Sequence, residues 1–220
     1  SSVVNNGIDL ESIQALPPAE EVLASLKLGP RESIKIFGTL SRVSPEKGLD
    51  ILLEGFVEAA KRAPYIRLLV IGDCPGEHEK YIKMITQYIH ENGLDDAVKI
   101  LGTREDALEI LKSIDFYISP SRSEGLPYNL LEALAVGKPV LATDIPGNND
   151  IIRKSVEGIL VPVNSARTLA HGILTLLELG PEERKAMRQN GKVRIRDEFS
   201  LNLMSEKTFS IYKKVLEGVI

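Results

Sequence analysis

Six short apolar runs limit what this chain can become: IKIFG (34–38), LLVIG (68–72), VKILG (98–102), FYIS (116–119), PVLAT (139–143) and GILV (158–161). Helical patterns fill most of the gaps between them. Strands covered on both faces are apolar throughout, and strands alternating with helices pair in parallel. The spacing therefore predicts an α/β class fold: a Rossmann-like, three-layer domain with a mainly parallel six-stranded sheet. In such sheets ligands bind beyond the carboxyl ends of the strands, where the strand order reverses. The segments to inspect are Thr39 to Lys47, Asp73 to Gly76, Thr103 to Asp106, Pro120 to Tyr128 and Asp144 to Asn149.

With 220 residues and 43% apolar composition, one large core can form without disulfides. That core is expected over residues 31–220. Residues 1–30 are weakly patterned, with a turn-prone Asn6-Gly7 pair and a short amphipathic helix over Pro18 to Leu28, as in a linker. A helical tail follows the sheet over Ala166–Leu179, Pro181–Glu198 and Leu201–Ile220. Ser200 is a candidate cap for the last helix, and Phe209, Tyr212 and Val215 give it an apolar stripe expected to pack in the core. The single cysteine, Cys74, excludes an intrachain disulfide and fits a reducing, cytoplasmic setting. A net charge of −4 with mixed signs argues against a nucleic-acid partner. No apolar run approaches the roughly 20 residues of a membrane span.

Two loops carry the chemistry. Between FYIS and PVLAT, Pro127 can open a helix and Gly137 can end it in a left-handed conformation. Leu130, Leu131, Ala133, Leu134, Ala135 and Val136 make that helix apolar nearly all round, so the carboxylate of Glu132 stands out. Glu124 precedes it in the loop, and both are placed at one crevice. Spacing alone favours the plainer alternative, in which Glu132 pairs with a structural arginine and Glu124 is a helix-start carboxylate. In the other loop, Ser44-Pro45-Glu46 reads as a cap and first helical turn, which puts the cation Lys47 where the helix dipole disfavours it. An anion would resolve the conflict. Arg42, Lys47 and the free N–H groups could bind a diphosphate, or Lys47 could be salt-bridged to a nearby carboxylate. Asp95-Asp96 reads as a helix-to-strand turn, not a metal site.

GTLSRVSPEKGLDILLEGF, LLVIGDCPGEHEKY, VKILGTRED and SPSRSEGLPYNLLEALAVGKPVLATD, in that order, closely resemble the nucleotide-sugar-binding half of the glycosyltransferase family 4 enzymes, also called group 1 glycosyltransferases. The resemblance covers nearly the whole chain: VVNNGIDL is similar to the family's interdomain hinge, and the last helix to the one that crosses back toward the N-terminal domain. It implies one half of a GT-B fold, with anomeric configuration retained, no divalent metal and no cofactor. The donor would be a UDP-, GDP- or ADP-sugar. By the same resemblance, Arg42 and Lys47 would hold the diphosphate and Glu132 the ribose hydroxyls. Glu124 would bind sugar hydroxyls, Gly125 and Leu126 would line the phosphate and sugar region, and Gly102 and Thr103 would lie near the base. The chain departs from the family at PGNND, where Asp150 stands near a common glutamate.

The favoured expectation is thus the donor-binding domain of a retaining sugar transferase, inactive alone and partnered by its own acceptor-binding domain. Peripheral association with the cytoplasmic membrane face would run through that absent half. A GT-B phosphorylase, a nucleotide-sugar epimerase and a non-catalytic binding domain are the alternatives. No run is followed by the glycine-rich dinucleotide fingerprint, which argues against a nicotinamide-dependent dehydrogenase.

Overall fold

The computed structural model describes residues 4–217. Each apolar run supplies a strand: β1 (Lys35–Leu40), β2 (Ile66–Ile71), β3 (Val98–Gly102), β4 (Phe116–Ser119), β5 (Val140–Thr143) and β6 (Gly158–Val161). They form one sheet in the order β3-β2-β1-β4-β5-β6, with every pairing parallel. The chain runs outward from β1 through β2 and β3, then returns to lay β4 on the other side of β1. The strand order therefore reverses between the carboxyl ends of β1 and β4, and both informative loops leave from there.

The strands are apolar on both faces because both faces are covered. On one side Ile36, Leu69, Ile71 and Tyr117 pack with residues of α1 (Leu10–Ala15), α2 (Glu20–Ser25), α5 (Ala107–Ser113) and α6 (Tyr128–Ala135). On the other, Phe37, Leu68, Val70 and Phe116 meet α3 (Leu49–Arg62), α4 (Glu79–Glu91) and α8 (Ala166–Glu178). Phe37 and Phe116 are in register on adjacent strands, and their rings stack with centroids 4.8 Å apart. A short α7 (Asn148–Ile151) follows β5, and α9 (Pro181–Glu198) packs along α6. No helix of the described residues is long and apolar enough to cross a membrane.

The first 30 residues hold more structure than their pattern signals. The expected helix at 18–28 narrows to α2, with Leu23 buried, and α1 was not anticipated. It forms because Asp9 accepts a hydrogen bond from the Ser12 N–H at 3.1 Å while Ile13 is buried against the sheet-facing core. Ile8 then ties this segment to the tail, donating its N–H to Phe199 O and accepting from Leu201 N, both at 2.9 Å.

The last helix corrects an expectation. Ser200 caps α10 (Leu201–Leu216), accepting from the Leu203 N–H at 3.4 Å. Phe209, Tyr212 and Val215 do not pack in the core: they are 73%, 62% and 54% exposed, and no residue of α10 is buried. The stripe is real, but nothing among the described residues covers it. Residues 218–220 of the expected helix, and the first three residues, including Val3 of VVNNGIDL, lie outside the described residues.

Candidate functional site

The loop after β1 is built differently from the continuous helix start that Ser44-Pro45-Glu46 announces. Pro45–Lys47 form a single 3-10 turn, closed by Lys47 N donating to Ser44 O at 3.0 Å and Gly48 N to Pro45 O at 3.2 Å. Gly48 then takes a left-handed φ of 66°, and α3 begins only at Leu49. Ser44 does not cap: its hydroxyl is buried and has no partner among the described residues. The break has a purpose in packing. A Cβ on Gly48 would lie 2.3 Å from Pro120 O, so glycine lets the two loops touch.

That contact brings Lys47 to Glu124. The Lys47 ammonium donates to Glu124 Oε1 at 2.7 Å, and Ser121 Oγ donates to the same oxygen at 2.6 Å. Only 20% of the lysine side chain and 8% of the glutamate side chain are exposed. The anion that the position of Lys47 calls for is, in this structure, Glu124. Arg42 remains exposed, and its guanidinium makes no hydrogen bond or ion pair among the described residues. Beyond Glu124, the N–H groups of Gly125, Leu126, Tyr128 and Asn129 have no acceptor among those residues, which leaves the amino end of α6 electropositive.

Glu132 sits one turn inside α6, and Gly137 ends that segment with φ 76°, as the sequence predicts. Its carboxylate has no ion pair or hydrogen bond among the described residues, so the structural-arginine alternative finds no support. Burial pushes its pKa up to about 7. Burial also raises the phenol of Tyr117 on β4, and the charges of Glu132 and Glu124 both push the same way. Both charges thus act on the same buried phenol.

Gly102 ends β3, two strands from β1, and Thr103 follows it. Gly102 O accepts from Gly72 N at 2.9 Å, Thr103 is exposed, and neither is hydrogen-bonded to the Lys47–Glu124 cluster. Asp150 takes a helix-cap contact: its Oδ2 accepts from Gly147 N at 3.0 Å. Gly147, at φ 87°, seats this turn against the glutamate loop, because a Cβ there would lie 2.4 Å from Gly125 O.

Several supports were not read from the sequence. Asn129 donates to Leu40 O, the last residue of β1, and its Oδ1 accepts from the Leu130 N–H at 2.8 Å, so it ties the start of α6 to the strand end. Thr143 Oγ1 donates to Ser121 O at 2.6 Å, and buried Asn148 donates to Thr143 O at 3.0 Å. Arg122 bridges to Asp50. An asparagine in the first turn of a mostly apolar helix was the one available signal, for Asn129.

A profile of the glycosyl transferases group 1 matches residues 25–194. The chain belongs to this family. A lipopolysaccharide core biosynthesis mannosyltransferase of Rhizobium meliloti is 23% identical over 218 residues, covering 98% of this chain and 61% of that protein. A D-inositol 3-phosphate glycosyltransferase of a Mycobacterium species is 33% identical over 183 residues, covering 81% of this chain and 40% of that protein. The chain thus spans about half the length of these curated relatives. Among solved structures, the Anabaena protein HepE in complex with UDP superposes with a TM-score of 0.88 at 24% identity, over 97% of this chain and 57% of that one. At that identity the likeness concerns the fold, which this group 1 member shares.

Proposed function

We propose that this chain is the donor-binding half of a retaining, family 4 glycosyltransferase that moves a sugar from a nucleoside diphosphate to an acceptor hydroxyl. The observation that carries the reading is the unpartnered, largely buried carboxylate of Glu132 in α6, the helix that follows the Glu124 loop at the reversal of strand order. Burying a carboxylate without a partner is costly, and a ligand supplying hydroxyl donors removes that cost. The ribose of a nucleotide supplies two.

The other groups fall into place along such a ligand. Arg42 and Lys47 offer two cations to the diphosphate, and the unpaired N–H groups from Gly125 to Asn129 add donors at the amino end of α6. As the bond to the sugar breaks, charge grows on the leaving diphosphate, and fixed cations stabilise that charge. Glu124, once exchanged out of its contact with Lys47, accepts sugar hydroxyls. Gly102 and Thr103 lie on the side where the base would extend. The UDP complex of the Anabaena neighbour supports a nucleoside diphosphate as the ligand class. The acceptor site belongs to a second domain, so this half alone is expected to transfer no sugar.

Calorimetry with UDP, GDP, ADP and their sugars tests the reading. One series is expected to bind, and Lys47→Ala and Glu132→Ala are each expected to weaken it about 10- to 100-fold, the range for a hydrogen bond to a charged group. Absence of binding by every member of the panel overturns it.

A further inference from the structure

We propose that Arg122 is the positioning residue for Lys47: it holds the turn that carries the lysine, and so fixes where the lysine can meet a ligand phosphate. The second half of that statement rests on the donor-binding reading, and the first does not.

Arg122 lies in the loop between β4 and α6, two residues before Glu124. Its Nη1 and Nη2 donate to Oδ1 and Oδ2 of Asp50 at 2.9 and 2.8 Å, a bidentate pair. Its Nε donates to Asn164 Oδ1 at 2.7 Å, and Nη1 also donates to the Pro45 carbonyl. Its own N–H donates to Glu46 O at 2.8 Å. Pro45 and Glu46 immediately precede Lys47, and Asp50 follows it on the first turn of α3. One residue therefore grips the backbone or the nearest helix turn on both sides of the lysine.

The turn needs that grip. A lone 3-10 turn has poor hydrogen-bond geometry, and here it is separated from α3 by the left-handed Gly48. Asp50 is itself fixed by α4, because Tyr81 Oη donates to its Oδ1 at 2.8 Å and accepts from its N–H at 3.1 Å. Burial opposes the charge on Asp50, but the hydrogen bonds from Arg122 and Tyr81 outweigh it and hold the carboxyl below its usual range.

The loop thus holds Lys47 in two separable ways. Glu124 holds the ammonium, and a phosphate that takes the ammonium must displace that contact. Arg122 makes no hydrogen bond to the Lys47 ammonium or to Glu124, so its hold survives the exchange and keeps Lys47 within reach of the ligand. A lysine at 122 could not reproduce a fork that meets Asp50, Asn164 and Pro45 together.

Two measurements test this. In the first, the intact chain is treated with limiting acetic anhydride, and modification of Lys47 is followed by mass spectrometry against the exposed Lys61 and Lys83. Arg122→Gln and Arg122→Lys are expected to raise Lys47 modification at least fivefold relative to those references, and an unchanged ratio overturns the proposal. If Arg122→Gln does not fold, Asp50→Asn removes the bidentate acceptor and serves in its place. In the second, calorimetry with the UDP, GDP and ADP series is run on Lys47→Ala, Arg122→Gln and the double variant. Arg122→Gln is expected to weaken binding about tenfold, and the double variant to bind no worse than Lys47→Ala, because Arg122 acts only through the lysine. Losses that multiply overturn it. If the labelling responds but the wild-type chain binds no nucleoside diphosphate, the donor reading fails while the positioning of Lys47 stands.

Discussion

Glu132 and Lys47 are both charges that the sequence places in unfavourable surroundings, and the structure treats them differently. Lys47 finds Glu124, 77 residues away. Glu132 finds nothing, and its carboxyl is pushed up to about 7 by burial. A carboxyl whose folded pKa lies above its unfolded value binds more protons folded than unfolded between those two values. The contribution of Glu132 to stability is therefore greatest below about pH 4.5, falls as pH rises to about 7, and is level above it. Glu132→Gln removes the charge, so it is expected to stabilise the chain at pH 8, by at most about 3 kcal/mol because the group is partly solvated, with the difference vanishing toward pH 4.5. Urea unfolding of both proteins across that range checks the sign. The same charge predicts ligand behaviour: if ribose hydroxyls donate to the ionised carboxylate, nucleotide affinity rises with pH to about 7 and then stops rising. The charges themselves were legible because each breaks a local rule. Arg122, Asp50 and Tyr81 were not, since partners separated by 72 and 31 residues leave no periodic trace.

At the scale of elements, the strands were legible because burial on both faces turns each one into an uninterrupted apolar word, whatever its neighbours. Strand order and the position of the reversal follow from general rules for parallel sheets, not from particular residues. Short elements are another matter. α1 has six residues and owes its existence to the Asp9 cap and the burial of Ile13, which local propensity does not foretell. The interruption at Gly48 was missed for a related reason: Ser44-Pro45 is an excellent helix start, and only contact with Pro120 makes the break necessary. Gly48 and Gly93 separate the two contributions. Both have left-handed φ, 66° and 65°, but a Cβ on Gly93 meets open space, whereas one on Gly48 meets backbone at 2.3 Å. Gly93→Ala is expected to cost about 1 kcal/mol from φ alone. Gly48→Ala is expected to cost distinctly more in denaturant unfolding, because the Pro120 backbone must also shift. If the two cost the same, the loop contact contributes nothing.

For the whole molecule, the informative element is the one whose sequence pattern was read correctly and whose environment was not. Phe209, Tyr212 and Val215 recur at helical spacing, and such a stripe looks the same whether its cover lies in the same core or elsewhere. In this structure both apolar cores close without it: Phe37, Phe56 and Phe116 are fully buried on one side of the sheet and Tyr117 on the other, while α10 buries none of its residues. Stability of the chain must then be insensitive to the stripe. Replacing Phe209, Tyr212 and Val215 together by serine is expected to change the unfolding free energy by less than about 1 kcal/mol, as for surface positions. Phe56→Ala, in the core beneath α3, is expected to cost about 3–5 kcal/mol. A large loss in the triple variant would mean that α10 is packed against the domain in solution. A small loss leaves an apolar face whose burial contributes nothing to this fold and which is open to a contact outside it.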